Sequence, residues 1–120
     1  MRRVTVSEAT GSVLDWLVGE AEFRRLQAQG SNVKAWVLEE HKKGLRTDPY
    51  STSWAHGGPI IECEELVLDL NGKHGWVSLQ LSDEGSGFEE FGPTPLIAAM
   101  RCYVASKFGE EAEVPDGLTS

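Results

Sequence analysis

Apolar residues first recur along this chain at the spacing of a helix. From Ser12 to about Ala28, Leu14, Leu17, Val18 and Ala21 share one face, widened by Val13 and Trp16. Asp15, Glu20, Glu22, Arg24 and Arg25 fill the other positions. Ser12 is the expected cap and Gly30 the expected stop. The pattern then changes to alternation: Val33, Ala35 and Val37 fall on one side, Lys34, Trp36 and Leu38 on the other, which predicts a strand. Residues 39–56 show no period and read as one long connection, a kind of segment that often carries function in a compact domain.

Gly57-Gly58-Pro59-Ile60-Ile61-Glu62 predicts a tight turn into a short helix with Pro59 at its first position. Two alternating runs follow, Leu66/Leu68/Leu70 and Val77/Leu79/Leu81, separated by Asn71-Gly72. They predict a hairpin whose apolar residues face one way. The register stays open, because Lys73, His74 and Gly75 can lengthen the loop. After a glycine-rich acidic link from Asp83 to Gly92, Thr94 caps a last helix with Pro95 at its first position. Its stripe is Leu96, Ile97, Met100, Tyr103, Val104 and Phe108, and Gly109 ends it. The order helix, strand, short helix, hairpin, helix predicts an α+β fold: a two-layer sandwich with an antiparallel sheet of about three strands packed against two amphipathic helices. Residues 1–114 make one domain in this reading, and residues 115–120, with Pro115-Asp116-Gly117, make a frayed tail.

Composition sharpens the picture in three ways. At 120 residues, 40% hydrophobic and 25% charged, the chain is expected to fold as one globular domain without staples. The opening Met-Arg-Arg-Val-Thr-Val-Ser-Glu lacks an apolar run behind its cations, and no run reaches about 18 apolar residues. A cytoplasmic protein with two reduced, buried thiols at Cys63 and Cys102 is therefore expected. The net charge of −8 is also uneven. Residues 1–60 hold eight Lys/Arg and seven Asp/Glu, residues 61–120 three and twelve. So acidic a second half disfavours direct nucleic-acid binding, which draws on cationic contacts to phosphates. It suits solubility or a basic partner.

Candidate chemistry is sparse. His41, His56 and His74 do not sit at metal-ligand spacing, neither cysteine belongs to a CxxC pair, and no Gly-x-Ser-x-Gly elbow occurs. His56 with Cys63 or Cys102 is the candidate thiol–imidazole pairing, and Glu62, Glu64 and Glu65 read as a solvated acidic turn. Asp83-Glu84-Gly85-Ser86-Gly87 has no lysine for a phosphate. No catalytic residue, metal or cofactor is expected. The loop most worth attention runs from Tyr50 to Pro59. There Tyr50, Trp54, His56, Gly57 and Gly58 stand beside a helix start whose free amides suit an anion or polar group. Arg101 is the candidate cation for such a pocket; the plain alternative has Trp54 plugging the end of the sandwich. Trp36 and Leu38, on the second face of their strand, suit either a dimer face or the far side of the sheet.

Two stretches resemble the signature blocks of the phage NinX-like family. They are Ser53-Trp54-Ala55-His56-Gly57-Gly58-Pro59-Ile60-Ile61-Glu62 and Gly92-Pro93-Thr94-Pro95-Leu96-Ile97-Ala98-Ala99-Met100-Arg101. The opening Val4-Thr5-Val6-Ser7-Glu8, with Asp15-Trp16 in the first helix, is similar as well, so the resemblance covers nearly the whole chain. It implies a phage or prophage origin, a host-cytoplasm setting and an accessory role, and it brings no catalytic residues. The leading expectation is a non-enzymatic domain that binds a host or phage protein through its acidic half or the Trp54 loop. A small-molecule or nucleotide-binding protein built on Tyr50–Gly58 and Arg101 is the rival. A third reading, an acidic mimic of nucleic acid, needs the carboxylates of Glu62–Asp69 and Asp83–Glu90 in one stripe.

Overall fold

The computed structural model describes residues 1–73, 75–81 and 87–118. Its elements are β1 (Arg2–Thr5), a 3-10 turn (Val6–Glu8), α1 (Gly11–Ala28), α2 (Ala35–Lys42), α3 (Trp54–Cys63), β2 (Val67–Asn71), β3 (Gly75–Leu81), β4 (Gly87–Gly92), α4 (Pro95–Phe108) and β5 (Glu111–Val114). The fold is α+β. Strands β2, β3 and β4 form an antiparallel sheet in that order, while β1 and β5 form a separate two-stranded ribbon.

Helix α4 organises the rest. Thr94 caps it as expected, its Oγ1 accepting from the Ile97 amide at 3.1 Å, with Pro95 in the first turn and Gly109 at φ +85° ending it. Every residue from Ala98 to Ala105 is buried. A helix buried all round must be covered from more than one side. One side meets β3 and β4, and another meets α1, with α3 and the β1–β5 ribbon alongside. Ala98, together with Gly92, lets the sheet approach. A Cβ at Gly92 would stand 2.7 Å from the Ala98 amide nitrogen. Around α4 the core gathers Val6, Leu14, Leu17, Val18, Tyr103 and Val114, each at most 1% exposed.

The first half of α1 is buried almost without a break from Val13 to Gly19, and its second half runs out into solvent. Thr10, not Ser12, occupies its cap position, and Gly30 follows its end at φ +80°.

The strand expected over residues 33–38 is not formed: residues 35–38 are the start of α2 and Lys34 is its cap position. Six alternating residues also contain a helical spacing. Val37 and Leu38 lie one turn before His41, and Ala35, Leu38, Glu39, Glu40 and Lys42 favour a helix. Tertiary contact settles the choice. The His41 ring is 2% exposed and stacks on Trp16 at 4.5 Å, with Phe23 edge-on at 4.8 Å. Trp16 Nε1 donates to the His41 carbonyl at 2.6 Å, which also accepts the Gly44 amide at 2.9 Å where α2 ends. Glu20 Oε1 lies 3.0 Å from His41 Nε2, and this hydrogen bond holds the Glu20 carboxyl below its ordinary range in spite of its burial.

The third strand of the sheet is β4, drawn from what the sequence offers as an acidic link. The turn at 82–86 lies outside the described residues. Pro59 is the sixth residue of α3, not its first, because the helix already starts at Trp54. Cys102 is buried but Cys63 is exposed, and both are free thiols. The tail does not fray at Val114. Residues 111–114 pair with β1, and Leu118 is buried in the core, its carbonyl accepting from Arg2 Nη2.

If close approach of β4 to α4 sets the core, Gly92→Ala should cost about 1–3 kcal/mol through overpacking. Urea unfolding monitored by tryptophan fluorescence measures it. A change under about 0.5 kcal/mol, the range of surface substitutions, would show that the contact yields freely.

Candidate functional site

The segment from Tyr50 to Gly58 is held from beneath by α1. Asp15, 8% exposed, accepts the Ser51 amide at 2.8 Å, which fixes the loop where it turns toward α3. Burial raises the Asp15 carboxyl above its ordinary 3.8, opposed by the neighbouring Ser51, whose amide it accepts. Tyr50 packs half-buried on the core, its hydroxyl pushed up to about 12 by burial, and meets His56 edge-on at 6.0 Å. Gly57 is obligatory here, since a Cβ would stand 2.6 Å from the Tyr50 carbonyl oxygen and 2.7 Å from Leu96 Cδ2. Gly58 is half-buried near the Trp54 ring. His56 is exposed, with Nδ1 3.1 Å from Ser53 Oγ. Trp54 plugs nothing, being 54% exposed.

These residues do not converge with Arg101. Trp54 borders a cavity of about 250 Å³ with Ser51, Thr52 and the start of α4. His56 borders another of about 240 Å³, shared with Cys63, Glu22, Arg25 and Tyr103. Arg101 opens on a third, of about 310 Å³, with Ser7, Glu90 and Pro93. Its guanidinium is 9% exposed and works as a clasp: Nε donates to the Ala9 carbonyl and Nη1 to the Phe91 carbonyl, each at 2.8 Å. One side chain thereby ties the entry of α1 and the end of β4 to α4.

Thiol chemistry finds little support in the geometry. Cys102 faces Ser78 and the sheet, and burial pushes its thiol up to about 11, so it is protonated at neutral pH. Cys63 and His56 share the 240 Å³ cavity, but among the described residues no group of three or more His, Cys, Asp or Glu side chains is placed to hold a metal ion. The acidic stripe is also divided. Asp69 and Glu89 lie on one face of the sheet, Glu90 lies on the other, and Glu64 pairs with Lys107 at 2.9 Å; Asp83 and Glu84 are outside the described residues.

The surface that sequence reading missed is the outer face of the β2-β3-β4 sheet. Asn71 pairs with Gly75, so the turn holds three residues rather than two. That single extra residue inverts β3 relative to β2. Leu68 then lies opposite Ser78, and both turn inward, Ser78 fully buried. Val77, Leu79 and Leu81 turn outward, away from α4. Across the sheet the outward rows read Asp69–Val77–Phe91 and Val67–Leu79–Glu89, with Leu81 beyond them. Val67 is 46% and Leu81 74% exposed, and the other three apolar residues are half-buried. Among the described residues no element other than α4, on the opposite face, makes an extensive contact with this sheet, and none of its outward residues is Lys or Arg. A count of turn residues is the only sequence signal for this, and Lys73-His74-Gly75 supplied it.

Among the described residues no helix is long and apolar enough to cross a membrane. The model of the family described as Bacteriophage P22, NinX matches residues 5–107. No curated protein matches the chain.

Because the raised Asp15 carboxyl favours its neutral form in the folded state, its contribution to stability falls as pH rises from about 3.8 through the folded value, then levels off. Asp15→Asn keeps an acceptor for the Ser51 amide and should abolish that fall with little loss at pH 7. Asp15→Ala should cost about 1–3 kcal/mol by leaving the amide unpaired. Denaturant midpoints of both variants between pH 3 and 7 check this, and an Asn variant as unstable as the Ala one would refute it.

Proposed function

The chain belongs to the NinX family of phage proteins, and from that premise we propose that it is a non-enzymatic accessory domain that binds a host or phage protein. One observation carries the reading: the outer face of the sheet is an apolar spine, Val77, Leu79 and Leu81, flanked on the edge strands by Asp69 and Glu89. An open antiparallel sheet normally keeps its solvent face polar. Contiguous apolar surface rimmed by polar groups is the usual mark of a protein-binding site, and carboxylates on both sides select a partner with cations around an apolar segment. A small-ligand pocket is the weaker reading, because Trp54 and His56 border different cavities from each other and from Arg101. The host cytoplasm is where such a phage protein would act.

Leu81→Lys tests this without touching the core, since Leu81 is largely exposed. Tagged wild-type chain, cross-linked in phage-producing cells, should retain a specific protein identified by mass spectrometry. The Leu81→Lys chain should retain it at least tenfold less, the effect of roughly 1.4 kcal/mol lost from a contact, and Trp54→Ala should retain it fully. Equal capture by wild type and Leu81→Lys would remove the sheet face from the proposal.

A further inference from the structure

We propose that the outer sheet face docks the α2 segment of a second copy of this chain, head to tail; this rests on reading that face as a protein-binding surface and names its partner. The exposed large apolar residues include a second group, Trp36 at 55% and Leu45 at 73% exposed, on and just after α2. Helix α2 is docked on α1 through His41, with Val37 and Leu38 half-buried on the same side, which leaves Trp36 on the solvent side. The guanidinium of Arg46 lies 5.8 Å from the Trp36 ring centre. Lys34, Lys42, Lys43 and Arg46 stand here against Glu39 and Glu40. Among the described residues none of these four cations is in an ion pair, whereas Arg3, Arg24, Arg25 and Lys107 are.

The two surfaces are complementary in both senses that matter. Trp36 and Leu45 supply apolar contact for the Val77–Leu79–Leu81 spine, and the surrounding cations meet Asp69 and Glu89. The obvious alternative, sheet face against sheet face, sets Asp69 and Glu89 of both copies in one contact with no cation among the outward residues. Since the two patches differ, the contact is heterologous. Each bound copy still offers one free patch, and association continues into chains or a closed ring. The sheet face measures roughly 20 by 14 Å from strand rise and spacing. That is well below the roughly 800 Å² per partner of stable complexes, so the association is weak and concentration-dependent.

Analytical ultracentrifugation of the untagged full chain, carried to roughly 1 mM, should show a mass that rises above the 13.2 kDa of one copy. Trp36→Glu and Leu81→Lys alter exposed residues only, and circular dichroism confirms that each is folded. Each should stay monomeric over the same range. Mixed in equal amounts, they should form a species of two chains and nothing larger, because one retains the sheet face and the other retains α2. A monomeric wild type, a variant that keeps the wild-type mass, or a mixture that stays monomeric overturns the proposal. Loss with Leu81→Lys but not with Trp36→Glu overturns it in favour of a face-to-face dimer. A monomeric wild type that still captures another protein in a Leu81-dependent way overturns this inference and leaves the proposed function standing.

Discussion

The burial of α4 is the constraint on which the structure depends. A helix buried from Ala98 to Ala105 shares the core with α1, but it also brings polar groups into places where water cannot serve them. Arg101 meets that difficulty by spending its donors on the Ala9 and Phe91 carbonyls. Both accept at points where the chain enters or leaves a regular element, so an otherwise costly cation becomes a three-way clasp. Burial lowers the Arg101 pKa from its ordinary value, opposed by Glu90 and Glu8, a shift that leaves a guanidinium charged. The sheet must then come close enough to α4 to exclude water, and Gly92 with Ala98 sets that distance. The chain ends follow the same centre. Ribbon β1–β5 and Leu118 close the core next to α1 and α4.

What the sequence made legible were the elements whose local signals agree with their tertiary setting. Thr94-Pro95 and Gly109 bracket α4, the stripe of Leu14, Leu17 and Val18 marks α1, and Asn71-Gly72 marks the hairpin. The resemblance carried by the Trp54 and Pro95 blocks is upheld by the family match over residues 5–107. Illegible were elements decided by partners distant in sequence. Residues 33–38 alternate well enough for a strand, yet His41 seats them as a helix through Trp16 and Glu20, more than twenty residues upstream. Strand β4 reads as Gly-Phe-Glu-Glu-Phe-Gly, a poor strand by propensity, and forms because β3 offers it an edge and α4 a surface. The ribbon joins residues more than a hundred positions apart, a pairing that no local pattern announces.

The candidate site was hidden by one residue. Had the hairpin turned in two residues, Val77, Leu79 and Leu81 would have joined Leu66 and Leu68 beneath α4, and the outer face would carry Trp76, Ser78 and Gln80. The observed register does the reverse. It buries the Ser78 hydroxyl beside Cys102 and turns an aliphatic spine outward. This arrangement is poor for an isolated monomer, since each square ångström of apolar surface left in water forgoes about 25 cal/mol. A chain that needed only to fold would gain by the shorter turn. The register thus creates the surface on which the proposed binding role rests.

Charge placement supports the same view. Long-range repulsion between bodies of net charge −8 keeps the chain from indiscriminate association. Four of the eight cations of its first half are tied into contacts on α1 or β1: Arg24 with Glu20, Arg25 with Glu22, Arg3 with Glu111, and Arg2 with the Leu118 carbonyl. Those near α2 are left over, around the most exposed tryptophan of the chain, Trp36. On the sheet the sign is reversed, with carboxylates on the edge strands and none of the opposite charge between them. An apolar surface can be kept soluble by charges of either sign. Separating the signs onto two apolar patches goes further, because it makes each patch repel its own kind and accept the other.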